Sequence, residues 1–370
     1  MMKKLRILGT RGIPAAHGGF ETFAEYLALY LVERGWSITV YCQQDGEGSI
    51  HEDDWHGVHR VHIPVRQKGA FGTIVFDFRA KLHAARKTDL TLTLGYNTAI
   101  FCIWMRIKRV TNIINMDGIE WRRQKWGNVP KAWFYLNEWA GCWLGNHLIA
   151  DHPDIKKHLM SRVSSDKITM IPYGAERINE AAKETVEAFD LEPGRYLTLI
   201  ARAEPENSIL EVVSGFSRKH RGVKLVVLGH YDVEGNAFHR AVKDAASDEV
   251  CFLGAIYDKT VLSAIRFHCA AYIHGHQVGG TNPSLVEAMG AGNPVIAHNN
   301  PFNRWVAGSS AAYFTGADEF ESVLEESLAS FEKFVQMGQD ERKRFDENFT
   351  WEKVLAEYEI LLTSWLPKHH

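Results

Sequence analysis

Short aliphatic runs alternate with longer amphipathic stretches along the chain. In the first half, "LRILG", "SITVYC", "VHRVHIPV", "LTLTLG" and "TNIINMD" are β-branched or aliphatic, as buried strands are. Between them, "FETFAEYLALYLVERG", "VFDFRAKLHAARK", "VPKAWFYLNEWAGCWLG" and "HPDIKKHLMSR" carry a helical pattern. In the first of these, Phe23, Tyr26, Leu27 and Tyr30 share one face, and Gly35 stands where a helix stops. The second half restarts with "RYLTLIA", "VKLVVLGH", "VCFLGA", "AAYIHG" and "NPVIAH", again with helices between. Strand–helix alternation begun twice predicts an α/β chain of two doubly wound, Rossmann-like domains. The expected division is a first domain over 1–175, a polar linker over 176–194 and a second domain over 195–350. A closing helix in 351–370 is placed to pack back on the first domain.

Composition adjusts this picture in three ways. A chain of 370 residues is too long for one compact domain and suits two. No apolar run approaches the ~20 residues of a membrane span, and "MMKKLRILGT" lacks a secretory pattern, so the expectation is a cytoplasmic protein. The five cysteines are scattered without C-x-x-C, which argues against a disulfide framework. The net charge of −3 conceals an asymmetry: residues 1–175 hold 23 Lys/Arg against 16 Asp/Glu, and the remainder 19 against 29. A basic first half suits either an anionic partner (membrane, nucleic acid or acidic substrate) or simply two domains of different surface composition.

Ligands of doubly wound sheets bind outside the carboxyl ends of the strands. The richest such place is residues 272–298, "YIHGHQVGGTNPSLVEAMGAGNPVIAH". A strand ends near His274, a turn through Gly279, Gly280, Thr281 and Asn282 follows, and a helix begins around Pro283 and Ser284. Free N–H groups and the positive dipole end of a helix suit a diphosphate. Glu287, one turn in, is placed to accept from ribose hydroxyls or to act as a capping carboxylate.

"GGTNPSLVEAMGAGNPVI" resembles the E-x(7)-E region of retaining family-four glycosyltransferases of the GT-B fold. Glu287 matches the second glutamate, whereas the first falls on Gly279. The wording is also similar to a subgroup of bacterial rhamnosyltransferases of capsule and O-antigen synthesis. A second match is "LIARAEPENSI", where the family has G-R-x-x-x-E-K-N: Arg202 takes the arginine position, and Asn207 stands where the lysine is missing. The resemblance implies donor-diphosphate contacts from Arg202, acting alone or assisted by Asn207 and the helix dipole.

A third match is "INMDGIEWRRQKW", which agrees with the subgroup at Asp117 and Glu120. Asp117 ends a strand. Its carboxylate either takes the acceptor's proton or stabilises an oxocarbenium-like transition state, unless Asp117-Gly118 is only a turn. Asp151 ends another strand and is a second catalytic candidate or a helix N-cap. Trp121, Trp126, Trp133, Trp139 and Trp143 are interleaved with Arg122, Arg123, Lys125 and Lys131. Such a mixture suits a membrane interface, a lipid-linked acceptor or stacked bases, and the lipid reading is preferred. The histidines His51, His56, His59 and His62 look like a possible metal set. His59 and His62 fall on opposite faces of a strand, however, so a solvated surface is the expected reading.

The resemblance implies a GT-B architecture, with two domains facing across a cleft. The second domain takes the nucleotide sugar, and Arg11, His17, Gly18, Gly19, Glu120, Trp121 and Arg123 line the acceptor side of the first. It implies retaining transfer, best matched by L-rhamnose from dTDP-L-rhamnose, onto a polyprenyl-diphosphate-linked saccharide at the inner membrane surface. No cofactor, metal ion or nucleic acid is expected. A sugar-nucleotide epimerase of the same fold, or a non-catalytic nucleotide-sugar-binding module, are the alternatives.

Overall fold

A computed structural model describes residues 2–16 and 18–366. It divides the chain into one unit of Met1–Pro172 with Trp351–His370, and a second of Tyr173–Thr350.

In the first unit, the aliphatic runs form β1 (Lys4–Leu8), β2 (Ser37–Asp45), β4 (Val58–Val65), β5 (Leu90–Leu94), β6 (Asn112–Asn115), β7 (His147–Ala150) and β8 (Ile168–Met170). They pair in parallel, and β3 (His51–Trp55) adds to β4 as an antiparallel edge, giving the order β3-β4-β2-β1-β5-β6-β7-β8. The segment β3, "HEDDW", carries no apolar alternation and is not among the strands expected from the sequence. Cross-strand charge stands in for burial: Arg60 grips Asp53 with two contacts of 2.8 and 2.6 Å. His62 meets Asp53 at 3.0 Å, whereas His59 meets Glu52 and Asp54. The two histidines therefore share no carboxylate.

Trp351–Ser364 forms a helix in this same unit. Trp351 stacks on Tyr26 with centroids 4.9 Å apart, and Tyr358 meets Phe23 at 4.6 Å. Both partners lie on the helix Gly19–Glu33, whose buried residues include Phe23, Leu27 and Leu31.

The second unit holds β9 (Tyr196–Ile200), β10 (Lys224–Leu228), β11 (Val250–Gly254), β12 (Ala271–His274), β13 (Val295–His298) and β14 (Ala312–Phe314). All pair in parallel in the order β11-β10-β9-β12-β13-β14. The expected linker, 176–194, is instead part of this unit. It contains the short helix Glu184–Glu187, and Val186 and Leu191 are buried in a core cluster with Tyr196, Val226 and Ile265. Its polar surface residues hid two apolar anchors.

Counted within each unit, the central six strands of both sheets follow the order 3-2-1-4-5-6. The direction of winding reverses between β1 and β5 in one unit and between β9 and β12 in the other. Outside the carboxyl ends of those pairs the connecting loops diverge, and ligands of doubly wound sheets bind there.

Candidate active site

In the second unit, the loops after β9 and β12 meet at the reversal point. The Gln277 N–H donates to Glu206 O at 2.9 Å, and Gln277 Nε2 to Ser208 Oγ at 3.0 Å. Gly275 allows this approach, because a Cβ there would lie 2.1 Å from Asn207 O. Arg202, just past β9, is exposed, and its carbonyl accepts from Asn207 Nδ2 at 2.8 Å. Asn207 is buried, and its Oδ1 has no hydrogen-bond partner among the described residues.

The helix Pro283–Gly290 starts as its sequence predicts. Asn282 caps it by accepting from the Ser284 N–H at 3.1 Å, and Pro283 occupies the first turn, where no donor is lost. Ser284 Oγ bonds the hydroxyl of Tyr272 at 2.7 Å, and Thr281 is buried. Glu287 is ion-paired: Arg266 Nη2 lies 2.5 Å from its Oε2. Gly279 has φ near +150°, with open space where a side chain would stand.

His274 closes β12 fully buried, with neither ring nitrogen hydrogen-bonded among the described residues. Burial, then the neighbouring His276 and His298, push its pKa well below the ordinary histidine value, so it is a neutral ring. It stacks on His276 at 4.5 Å.

In the first unit, the loops after β1 and β5 meet in the corresponding place. Gly9, at φ +82°, packs so closely that a Cβ would lie 2.0 Å from Leu94 O, and Gly12 at φ +123° abuts Cys42. Gly18, singled out in the sequence, has an extended backbone that any residue adopts. The glycines that the geometry requires are thus Gly9 and Gly12. Two acids on the following helix fasten the loop: Glu21 accepts from the Arg11 N–H at 3.0 Å, and Glu25 from the Ala15 N–H at 2.5 Å. Gly19 begins that helix, and His17 lies outside the described residues.

Asp117 and Asp151 follow the adjacent strands β6 and β7 at this same carboxyl edge. Asp117 takes a left-handed conformation, φ +53°, and its N–H donates to Asn115 Oδ1 at 3.0 Å. Asn115 in turn donates to Tyr358 Oη at 2.8 Å, so the closing helix braces the Asp117 turn. Asp151 is not a cap. The helix Pro153–Leu159 is capped by His152, whose Nδ1 accepts from the Asp154 N–H at 3.0 Å.

Glu120 is held on three sides. Its N–H donates to Tyr96 Oη at 2.8 Å, and its carboxylate accepts from Arg123 at 2.9 Å and Trp126 Nε1 at 3.1 Å. Trp121 donates to the buried Glu138 at 2.8 Å. Burial would raise the Glu138 carboxyl, but His158, Trp121 and Arg162 outweigh it and hold it below the usual range. The loop carrying Tyr96 is pinned from beneath. Lys81, buried, donates to Thr98 O at 3.2 Å and Oγ1 at 2.5 Å, and Thr98 donates to Asp77 at 2.6 Å.

Tyr96, Asn115, Glu138, Arg266 and His274 were not among the residues picked from sequence. A lone buried arginine or tyrosine gives no motif, and only folding brings each beside its partner. A cavity of about 980 Å³ opens elsewhere in the second unit, lined by Arg195, Arg221, Pro294, Phe334 and Arg342. It lies toward the amino ends of β9, β10, β12 and β13, away from Arg202 and Glu287.

Residues 186–349, which carry this second-unit site, match the model of glycosyl transferases group 1, and residues 2–176 match a domain of unknown function, DUF1972. The solved structure of sucrose-phosphate synthase from Thermosynechococcus elongatus is similar over 98% of both chains, with 17% identity and a TM-score of 0.82. Anabaena HepE, in complex with UDP and glucose, matches with a TM-score of 0.78 at 12% identity, over 98% of this chain and 100% of that one. The α,α-trehalose-phosphate synthase of Burkholderia xenovorans, in complex with glucose-6-phosphate, gives 0.74 at 12%, over 97% and 100%. No curated protein matches.

The fold is GT-B. The group 1 match and these structural neighbours support a GT-B glycosyltransferase. Arg202 and Glu287 both lie in the unit that carries the group 1 match.

Proposed function

We propose that the chain is a retaining glycosyltransferase. It moves L-rhamnose from dTDP-L-rhamnose onto a polyprenyl-diphosphate-linked saccharide at the cytoplasmic face of the membrane. The observation that carries sugar transfer is the joined pair of loops at the β9/β12 reversal point, within the segment matching glycosyl transferases group 1. An exposed guanidinium, Arg202, follows β9, and a capped helix start with an anchored carboxylate follows β12.

Each group has a task in this reading. Arg202 and the N–H groups at Asn282–Ser284 bind the donor diphosphate. Glu287 accepts from the ribose hydroxyls through the oxygen that Arg266 does not hold. The turn through Gly279, Gly280 and Thr281 borders the sugar, and Asn207 Oδ1 offers a buried acceptor. In the first unit, Asp117 is the carboxylate that stabilises the oxocarbenium-like charge, with Asp151 beside it. Arg11, Gly18, Gly19, Glu120, Trp121 and Arg123 belong to the acceptor side. Departure of the nucleoside diphosphate leaves its phosphate to take the acceptor proton, so no protein nucleophile is required. The rhamnose assignment is supported by Gly279, which replaces the sugar-binding acid of the general pattern by an open turn.

Two neighbours are recorded with UDP and glucose or with glucose-6-phosphate, which makes UDP-glucose the natural competitor donor. The test is turnover of dTDP-rhamnose against UDP-glucose with a lipid-linked acceptor, using wild type and Asp117→Asn. Rhamnosyl transfer that Asp117→Asn abolishes, with nucleotide binding retained, is the expected result. Turnover of UDP-glucose alone overturns the donor, and conversion of the donor sugar without acceptor indicates an epimerase.

A further inference from the structure

The first unit presents apolar side chains to solvent on three adjoining elements. Ile100, Ile103, Trp104 and Ile107 follow i, i+3, i+4, i+7 spacing through the turns Ala99–Cys102 and Ile103–Ile107, and are 36–61% exposed. The opposite face of the same turns, Ala99, Cys102 and Met105, is already buried in the unit. Phe101 meets Phe78 of the helix Gly69–Ala84 at 5.2 Å, and that helix also exposes Phe71. The Ile100 N–H donates to Asn137 Oδ1 at 3.0 Å, bringing up the helix Asn128–Leu144 with its exposed Leu136 and Trp143. Exposed apolar surface gathered in this way marks an interaction site.

The charge around it has one sign. Residues 66–109 hold nine Lys/Arg against two Asp/Glu. Both acids are engaged: Asp77 accepts from Thr98, and Asp89 pairs with Arg6 at 2.8 Å. Elsewhere in residues 1–175, 14 basic residues face 14 acidic ones, so this stretch accounts for the whole basic excess of the first half. Arg86, Lys87, Arg106, Lys108 and Arg109 are all exposed.

We infer that the Ile100–Ile107 face, with its basic surround, docks the first unit on an anionic lipid surface. Apolar side chains with Trp enter the headgroup boundary, and the surrounding cations meet acidic headgroups. A second copy of this chain fits less well, because a two-fold contact through this face would set cation against cation. Of the tryptophans in the stretch 121–143 that the sequence suggested, this surface takes in Trp143. Trp121, Trp126 and Trp133 direct their N–H groups to Glu138, Glu120 and Asn97 within the unit. The inference rests on the lipid-linked acceptor reading for its purpose, and deepens it by naming the surface.

The test is vesicle co-sedimentation of the full chain with phosphatidylcholine alone or mixed with phosphatidylglycerol, alongside donor binding without vesicles. Wild type is expected to sediment with the anionic vesicles at least tenfold more than with the neutral ones. Ile103→Asp/Ile107→Asp and, separately, Arg106→Glu/Lys108→Glu are expected to lower that fraction about tenfold while donor binding and melting temperature hold. Equal binding to both vesicles, or variants that bind as wild type does, overturns the inference. So does a dimer in sedimentation velocity that Ile103→Asp/Ile107→Asp converts to monomer without any vesicle binding. Failure of vesicle binding with donor turnover intact sinks this surface and spares sugar transfer; loss of donor turnover with vesicle binding intact does the reverse.

Discussion

Arg266 holds the carboxylate of Glu287, Nη2 to Oε2 at 2.5 Å, with the arginine buried and the glutamate about one-third exposed. The contact joins the helices Lys259–His268 and Pro283–Gly290, so the orientation of the Glu287 carboxylate depends on a residue 21 positions earlier.

Removing either partner therefore has a different consequence. Arg266→Leu removes the buried charge and leaves a carboxylate that water can reach, so stability should fall by only about 1 kcal/mol in urea denaturation. Glu287→Gln keeps an acceptor oxygen but leaves the buried Arg266 guanidinium without its counter-charge, and should cost roughly 3 kcal/mol. In the proposed reading it also weakens nucleotide-sugar binding about tenfold, measurable by calorimetric titration. Unchanged donor affinity in Glu287→Gln would remove this residue from the site.

Gly279 makes a second case. The general family pattern carries glutamate here, and restoring it by Gly279→Glu meets no steric block. The backbone resists instead: φ near +150° is one that L-residues seldom adopt, and the substitution should cost on the order of 1–2 kcal/mol. Gly279→Ala should cost nearly the same, since the penalty belongs to the backbone. A large difference between their thermal midpoints would show that the side chain, not the conformation, sets the cost.

These two positions mark what could be read from sequence. The strands and the helix starting at Pro283 were legible because burial and capping write local patterns, and Asn282-Pro283 is such a pattern. Arg202, Asp117 and Glu287 were legible by position at strand ends and helix starts. Arg266, Tyr96 and Asn115 were not, since each acts on a residue distant in sequence and is unremarkable where it stands. The all-polar β3 was missed for the complementary reason: its ladder is held by Asp53–Arg60 and not by burial. The GG pair drew attention to Gly18, but close packing against Leu94 and Cys42 places the requirement on Gly9 and Gly12.

Tyr96 supplies a third prediction. Its buried hydroxyl accepts from the Glu120 N–H, which sets the turn carrying Glu120, Trp121 and Arg123. Tyr96→Phe removes the acceptor and should cost about 1–2 kcal/mol. If that turn serves the acceptor, KM for the acceptor rises while donor affinity stays constant. A matched loss in donor affinity would place the turn elsewhere in the reaction.

Glu341 is buried on the helix Phe331–Asn348, where Ser310 Oγ donates to it at 2.9 Å. Burial raises its pKa to about 8, against the partial opposition of Ser310 and Arg344. In the unfolded chain the group titrates near 4.5, so between these values the native state binds a proton that the unfolded state has lost. Stability from this group is therefore complete below about pH 4.5 and drains away as pH rises toward 8. From pH 5 to 8 the loss should approach roughly 4 kcal/mol as an upper figure. Glu341→Gln cannot ionise and should flatten that slope in urea titrations at successive pH values. A variant whose stability falls with pH as steeply as wild type would show that the slope comes from other groups.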